Sequence, residues 1–215
     1  MSTIDFMVAQ SDRLLGLTID NLILILIVAG IALVISVAVG LLTYRNATTA
    51  RAAQSVFSVF LTIPSFALFG LFIPIFGLGL TPAVVALVMY SLLPITRNTI
   101  VGLRGVDPAI VDAAKGMGMS RNRVLLTIEL PLAWPVIIAG VRVAVQIVVG
   151  ISAIATLIGV SSLGDFIFRG LRSIGSVNAI DFALSGTILL VILGLLLDAA
   201  LLLFSKLTTP RGIRA

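Results

Sequence analysis

The longest stretch without a Lys, Arg, Asp or Glu runs from residue 52 to residue 96 and covers 45 positions. A helix rises about 1.5 Å per residue and the hydrocarbon core of a bilayer is about 30 Å thick, so about 20 apolar residues make one crossing. The stretch therefore predicts two crossings, joined by the turn sequence at residues 77–82. Of all 215 residues, 60% are hydrophobic and 11% are charged. This composition excludes a water-soluble globule and predicts a membrane protein.

Three further apolar segments bring the predicted number of membrane spans to five. The predicted spans cover Leu22–Leu42, residues 55–76, residues 82–99, Trp134–Ile158 and Phe182–Ser205. We therefore predict an all-α polytopic fold with one membrane domain at residues 21–205, an N-terminal segment at 1–20 and a tail at 206–215. The N-terminal segment lacks the basic start and apolar run of a cleaved signal, and we expect a short interfacial helix over Ile4–Leu17.

The basic residues are unevenly distributed between the two faces that these spans create. Five spans place the termini on opposite sides of the membrane. Three basic residues, Arg13, Arg169 and Arg172, lie on the side of the N-terminus. Ten lie on the side of the C-terminus: Arg45, Arg51, Arg97, Arg104, Lys115, Arg121, Arg123, Lys206, Arg211 and Arg214. Because Lys and Arg gather on the cytoplasmic side, we expect an external N-terminus and a cytoplasmic C-terminus.

Whole classes of chemistry are missing from the sequence, which contains no Cys and no His. Disulfides, thiolate nucleophiles, imidazole bases and His or Cys ligands for zinc are therefore excluded. The predicted spans contain no Lys and a single Asp, too few groups for a Ser-Lys or Asp-Asp intramembrane enzyme. The phosphate-binding sequence Gly-x-x-x-x-Gly-Lys-Ser/Thr does not occur either. We therefore expect no enzymatic activity, no cofactor and no metal site, and any ATP to be hydrolysed by another chain.

Residues 104–131, between the third and fourth predicted spans, are less apolar and carry two sets of helix signals. Asp107 is a favourable N-cap and Pro108 suits the first helical position. The first helix should stop at residues 116–118, where glycine can adopt a positive φ. Ser120 is the predicted cap of a second helix over Arg121–Leu130, which should end at Pro131 because proline lacks a backbone N–H.

Three motifs in this loop follow one another at fixed spacing: Asp112-Ala113-Ala114, then three residues and Gly118, then nine residues and Ile128-Glu129-Leu130-Pro131. The spacing resembles the signature of permease subunits of binding-protein-dependent ABC importers, in which Glu-Ala-Ala, Gly and Ile-x-Leu-Pro recur in a cytoplasmic loop. The chain departs once, with Asp112 where that family usually has Glu. The resemblance implies a type I importer permease whose first loop helix, the coupling helix, docks on a separate ATPase subunit.

By this resemblance, the residues that couple to the ATPase are Asp107, Asp112, Ala113, Ala114, Lys115, Gly116, Gly118 and Met119. The loop signature comprises Ile128, Leu130 and Pro131. Adjacent alanines allow close approach to another surface, and a short capped helix moves as a rigid body. The alternative interpretation is an amphipathic connector with ordinary helix punctuation.

A closer resemblance covers residues 58–171. Its motifs are Thr62-Ile63-Pro64-Ser65-Phe66-Ala67-Leu68, the residues 91–99, Gly116-Met117-Gly118-Met119 and the residues 163–171. These look like the osmoprotectant branch, which imports glycine betaine, carnitine, choline or related quaternary ammonium compounds. Residues 160–164 depart from the glycine-rich stretch usual there. The resemblance implies a second permease subunit, identical or paralogous, two ATPase subunits, an external substrate-binding protein and no nucleic acid. Alternatives are import of amino acids such as methionine, an ATP-independent channel or carrier, and a membrane scaffold.

Polar residues and prolines inside the spans supply further hypotheses. Pro64, Ser65, Tyr90 and Pro94 are candidates for the translocation pathway, because a proline frees a carbonyl and permits a kink. The alternatives are kinks without function and a Tyr90 that only packs. Arg142 lies about 10 Å from Pro135 along a helix, and Asp198 about 12 Å from Lys206.

At these matched depths, Arg142 and Asp198 are predicted to form an ion pair inside the membrane. Alternatively, Arg142 extends to the interface and Asp198 faces water in the pathway. On the external side, residues 164–173 are predicted to form a short helix or re-entrant element. Its charged residues Asp165, Arg169 and Arg172 are candidates for contact with the external receptor, unless they are simply solvated.

Overall fold

The computed structural model describes residues 3–209, and within this range every regular element is a helix. Ten α-helices follow one another: α1 (Thr3–Ala9), α2 (Ser11–Thr43), α3 (Ala47–Thr62), α4 (Ser65–Phe76), α5 (Leu80–Arg104), α6 (Pro108–Gly116), α7 (Arg121–Val124), α8 (Leu130–Ser152), α9 (Gly164–Arg172) and α10 (Ala179–Thr208). A π-helical turn, Leu125–Glu129, joins α7 to α8, and a 3₁₀-helix, Ile154–Ile158, follows α8. The fold is thus all-helical, as predicted.

Four helical stretches in the described residues are long and apolar enough to cross a membrane: α2, α5, the continuous stretch Arg121–Ser152, and α10. The pair α3 and α4 passes the same test only together and adds up to a fifth span. The span α2 contains 33 residues, about 50 Å, and begins at Ser11. The predicted interfacial helix over Ile4–Leu17 is therefore wrong as a single element: α1 covers its first part, and its remainder is the start of α2.

The second predicted span, residues 55–76, is not one straight helix. Its two halves, α3 and α4, meet at an angle of 97°. Proline disfavours the helical conformation in the residue before it, and Ile63 is extended, with φ −79° and ψ 127°. Pro64 then precedes the first turn of α4. The apolar composition identified a membrane segment here, but it carried no information on the direction of its two halves.

Pro131 does not end a helix, contrary to the prediction. Ahead of it, the Leu130 N–H donates to the Leu125 carbonyl, five residues back, which makes the turn wider than an α-helical one. Pro131 lies directly after this wider turn, so its missing N–H falls where the hydrogen bonding already departs from the α-helical pattern. The predicted second loop helix, Arg121–Leu130, therefore runs directly into the fourth span.

Helix α5 forms the centre of the bundle and packs against both α2 and α8. Close approach of α5 and α8 depends on Gly140, where a Cβ atom would lie 2.7 Å from the Asn98 Cβ and 2.8 Å from the Pro94 carbonyl oxygen. The bundle has two ends. One carries α6, the last turn of α2 and the start of α8, and we call it the α6 end. The other, the α9 end, carries α1, α9 and the first turns of α2 and α10.

Candidate coupling and translocation site

The short helix α6 begins and ends where the sequence predicts. The Asp107 carboxylate accepts a hydrogen bond from the Ala109 N–H at 2.8 Å, and Pro108 follows this cap. At the other end, Gly118 has a φ of +81°, and the Met119 N–H donates to the Ala114 carbonyl at 3.2 Å. A Cβ atom at Gly118 would meet nothing within 4 Å. Its backbone conformation, not lack of space, is therefore what favours glycine there.

Most residues of α6 point away from the rest of the chain. Ala114 is buried, at 1% exposure, whereas Asp112, Ala113, Lys115, Gly116 and Gly118 are exposed and Met119 is half-buried. Asp112 and Lys115 form an exposed ion pair at 3.0 Å. Ile110 and Met117, seven residues apart, are 45% and 76% exposed and flank Ala113 on one helical face. This small apolar stripe was missed as a contact surface in the sequence, although its spacing of three and four residues could have indicated it.

The loop signature adjoins a buried carboxylate. Ile128 and Leu130 are half-buried on either side of Glu129, which is 7% exposed. Glu129 accepts a hydrogen bond from the Tyr44 hydroxyl at 2.8 Å. The Arg45 Nε donates to the same hydroxyl at 2.6 Å, and an Arg45 terminal nitrogen lies 3.4 Å from the Glu129 carboxylate. We call Tyr44, Arg45, Arg104 and Glu129 the Glu129 cluster, since the Arg104 Nε donates to the Tyr44 carbonyl at 2.6 Å.

Burial and the Glu129 carboxylate raise the pKa of Tyr44 to about 12. The hydroxyl therefore stays protonated and able to donate at any physiological pH. Between this cluster and α6 lies a cavity of about 510 Å³, lined by Arg45, Val111, Lys115, Arg121 and Glu129. Sequence reasoning did not assign a role to Glu129, although it is the one glutamate in the chain and stands in an otherwise apolar signature.

The four candidate pathway residues are only partly brought together. Tyr90, 3% exposed, donates its hydroxyl hydrogen bond to the Ile63 carbonyl at the bend between α3 and α4. Pro64 and Ser65 follow at that bend, Pro64 exposed and Ser65 half-buried. Pro94 lies one turn further along α5 and is buried, and its carbonyl accepts from the Asn98 side chain at 2.8 Å. It lines a cleft of about 290 Å³ between α3, α5 and α8.

Arg142 and Asp198 face each other across α8 and α10. The Arg142 Nε donates to one carboxylate oxygen of Asp198 at 2.8 Å, and a terminal nitrogen donates to the other oxygen at 2.8 Å. Both side chains are about one-third exposed, at 30% and 28%. One turn away, the Gln146 amide donates to the Gly194 carbonyl at 3.1 Å. In this geometry Arg142 is engaged in a two-point pair rather than extended toward an interface.

The charged helix α9 is packed firmly against its neighbours. Asp165 contacts both Arg13, at 2.9 Å, and Arg169, at 3.0 Å. A Cβ atom at Gly170 would lie 2.6 Å from the Ala179 carbonyl oxygen, so α9 touches α10 backbone to backbone. Of the three candidate receptor residues, Asp165 and Arg169 are thus paired with each other, whereas Arg172 is exposed at the end of the helix.

The comparisons with known proteins concern nearly the whole chain. Residues 30–209 match the family described as "Binding-protein-dependent transport system inner membrane component". An osmoprotectant import permease protein, OsmW, of Salmonella typhimurium is 38% identical, with 100% of both chains covered. The carnitine transport permease protein OpuCB of Listeria monocytogenes is 36% identical, covering 98% of this chain and 95% of its own. The choline transport system permease protein OpuBB of Bacillus subtilis is 33% identical, with the same coverage.

Among solved structures, a chain of the MetNI methionine ABC transporter in an inward-facing conformation superposes with a TM-score of 0.81. The match covers 94% of this chain and 99% of that one, at 22% sequence identity. At this identity the likeness establishes the fold alone.

Proposed function

Because this chain belongs to the family of inner membrane components of binding-protein-dependent transport systems, we propose that it moves a small osmoprotectant such as glycine betaine, carnitine or choline across the cytoplasmic membrane. The family consists of permease subunits of ABC importers, in which a separate subunit hydrolyses ATP. The chain is therefore a multi-pass inner-membrane transport subunit and not itself an enzyme.

The cargo assignment depends on one observation, the similarity to three permeases named for osmoprotectant, carnitine and choline transport. It extends over at least 98% of this chain at 33–38% identity. The main alternative is an amino acid, since the structural neighbour transports methionine. That likeness is at 22% identity, where fold is shared much more widely than substrate. We therefore favour a quaternary ammonium compound over an amino acid.

We propose that two ATPase subunits bind the α6 end of a pair of permease subunits, identical or paralogous. The exposed face of α6 supports this contact, because Ile110, Ala113 and Met117 present apolar surface beside the Asp112–Lys115 pair. Coupling is assigned to Asp107 through Met119 as a unit that moves with the ATPase. An external substrate-binding protein would then deliver the cargo to the α9 end, where Arg172 is exposed.

The proposed orientation places the α6 end in the cytoplasm and the α9 end outside. Seven basic residues of the described chain lie at or near the α6 end: Arg45, Arg51, Arg104, Lys115, Arg121, Arg123 and Lys206. At the α9 end there are three, Arg13, Arg169 and Arg172, and the first two share the Asp165 carboxylate. Arg211 and Arg214, which also entered the sequence count, lie outside the described residues. The uneven charge supports a cytoplasmic C-terminus by the tendency of Lys and Arg to remain inside.

In the proposed cycle, ATP binding closes the ATPase pair and shifts α6. The shift passes through α7 and the π-helical turn into α8, because this stretch is one continuous helix. The paired permeases then alternate between outward and inward access, and the bend at Pro64 and Ser65 beside Tyr90 supplies a flexible position in the second span. Pro94 lies on the neighbouring cleft.

Reconstitution of the complete complex in proteoliposomes tests this proposal. The vesicles would contain this chain with its ATPase and second permease, with the substrate-binding protein outside and ATP inside. We expect ATP-dependent uptake of labelled glycine betaine, carnitine or choline and none of labelled methionine. Uptake of methionine alone would overturn the cargo assignment. Accumulation by this chain alone, without nucleotide, would overturn the importer assignment.

A further inference from the structure

The coupling helix is covalently connected to two spans but not to the first one. Residues 105–107 join α6 to α5, and the continuous stretch Arg121–Ser152 joins it to α8. The cytoplasmic end of α2 is distant in sequence, and Tyr44 lies 85 positions before Glu129. Any motion of α6 must therefore reach α2 through side-chain contacts.

The Glu129 cluster provides such contacts at the end of α2 nearest to α6. The Tyr44 hydroxyl reaches the carboxylate of Glu129, the last residue of the π-helical turn, at 2.8 Å. The Tyr44 carbonyl accepts from Arg104, the last residue of α5, at 2.6 Å. The last turn of α2 is thus bonded to both helices that flank the coupling loop. Resting on the proposed function, we infer that Tyr44 and Glu129 form a positioning joint that makes the end of α2 follow the coupling segment.

Arg45 strengthens this joint from the solvent side. Its Nε donates to the Tyr44 hydroxyl at 2.6 Å, so that this hydroxyl accepts one hydrogen bond and donates another. Its guanidinium also lies over the Tyr44 ring, 5.1 Å from the ring centre. A chain of hydrogen bonds that ends on a buried carboxylate has one favoured geometry, which is what a rigid mechanical contact requires.

The space around α6 also favours transmission through this joint. Of the residues of α6, only Ala114 is buried, and a cavity of about 510 Å³ separates the helix from Glu129. The helix α6 therefore offers only a small packed side-chain interface through which it could push on the spans. A displacement of α6 reaches the bundle mainly through its covalent connections to α5 and α8. At the joint, the end of α2 contacts the connection to α8.

The vesicle assay described above, with glycine betaine as the probe, tests the joint when uptake and ATP hydrolysis are measured together. Tyr44→Phe removes only the hydroxyl, and Glu129→Leu removes the acceptor. We expect each to lower the number of solute molecules imported per ATP by about tenfold, the equilibrium value of one hydrogen bond to a charged group. Glu129→Gln keeps an acceptor oxygen and should retain most of the ratio. The double variant should be no worse than Glu129→Leu alone.

A matched control is Arg51→Ala, because Arg51 is exposed on the same side of the bundle and, among residues 3–209, donates to the Ala47 carbonyl of its own helix alone. It should leave the ratio unchanged. Wild-type ratios in Tyr44→Phe and Glu129→Leu complexes would overturn the joint. If these variants do not assemble with the ATPase, Arg45→Lys, which removes the Nε donor, is tested in their place. A lowered number of solute molecules per ATP would then support the joint, and a wild-type number would overturn it. A wild-type complex that imports none of the three solutes would instead overturn the proposed function.

Discussion

Two helix interruptions in this chain have the same ingredients and opposite results. Each lies beside a proline, Pro64 or Pro131, and each engages the hydroxyl of one of the chain's two tyrosines. At Pro64 the helix axis turns by 97°. Before Pro131 the helix widens for one π-helical turn and continues as a single span.

The difference lies in where the backbone groups find their partners. At the bend, Ile63 leaves the helical conformation and its carbonyl bonds to Tyr90 on another helix. At the π-helical turn, the Leu130 N–H bonds within its own helix, and Tyr44 meets a side chain instead. Beside Pro64 a neighbouring helix binds the carbonyl that the bend exposes, whereas beside Pro131 a wider turn accommodates the proline within one helix. We therefore expect the bend to separate the motion of its two sides and the π-helical turn to transmit motion.

The largest effect is expected from restoring the π-helical turn to α-helical geometry. Deleting Thr127, an exposed residue of that turn, should rotate α7 and α6 by about 100° relative to α8 and remove the Tyr44–Glu129 bond. We expect uptake by the reconstituted complex to be abolished, with folding verified by thermal unfolding in detergent. Deleting Val177, which is 97% exposed in the turn after α9, is the control for loss of one residue and should leave thermal unfolding unchanged. Normal uptake after deletion of Thr127 would show that the π-helical turn transmits nothing.

A strong effect is also expected at the Arg142–Asp198 ion pair, which joins α8 to α10. Asp198→Ala leaves Arg142 without its two-point partner inside the membrane, and Arg142→Ala does the converse. Each should cost about 2–3 kcal/mol, lower the unfolding temperature and reduce uptake. Exchanging the residues, Arg142→Asp with Asp198→Arg, should recover both readouts. Absence of any recovery would argue against a functional pair.

The coupling loop before the π-helical turn should be sensitive at Gly118. Gly118→Val places a branched residue at a φ of +81°, with a cost of about 1–2 kcal/mol or more. Asparagine tolerates this region far better, so Gly118→Asn is the matched control. We expect the valine variant to hydrolyse ATP with little uptake and the asparagine variant to be close to wild type. Equal uptake in the two would mean that the reversal at Gly118 is not needed for coupling.

The smallest effect should come from a change at the bend between α3 and α4, beside Pro64. Tyr90→Phe leaves the Ile63 carbonyl without its donor, which should cost about 1 kcal/mol and lower the unfolding temperature by roughly 2–4 °C. If the bend separates the motion of its two sides, imported solute per ATP should not change, in contrast to Tyr44→Phe. A lowered ratio in Tyr90→Phe with normal stability would remove the distinction between the two tyrosines.

The sequence predicted the apolar segments and the capped helix α6 well, because hydropathy and capping are local properties. At the two prolines it was less accurate: a kink at Pro64 was allowed for, but not its angle of 97°, and the helix predicted to end at Pro131 continues through it. The local rules for proline are the same at both positions. What differs is the tyrosine that lies 26 residues after Pro64 in one case and 87 residues before Pro131 in the other. Glu129 was missed for the same reason, since its partner Tyr44 is remote in sequence.

The pathway, coupling and receptor residues remain predictions, although the structure does place Arg142 and Asp198 together. Their matched depths on antiparallel helices were readable from residue counts. The residue counts did not show which face each helix turns toward its neighbours. The spans are apolar on nearly every side, so the hydrophobic periodicity gives little information on orientation.

The backbone contact of α9 on α10 at Gly170 has a mechanical consequence. Flexible side chains usually lie between two packed helices and yield before the helices themselves are displaced. At Gly170 no side chain lies between the two helices, so a force on α9 should displace the first turns of α10 directly. A partner that binds the α9 end should therefore tilt the whole of α10 and not only deform a loop.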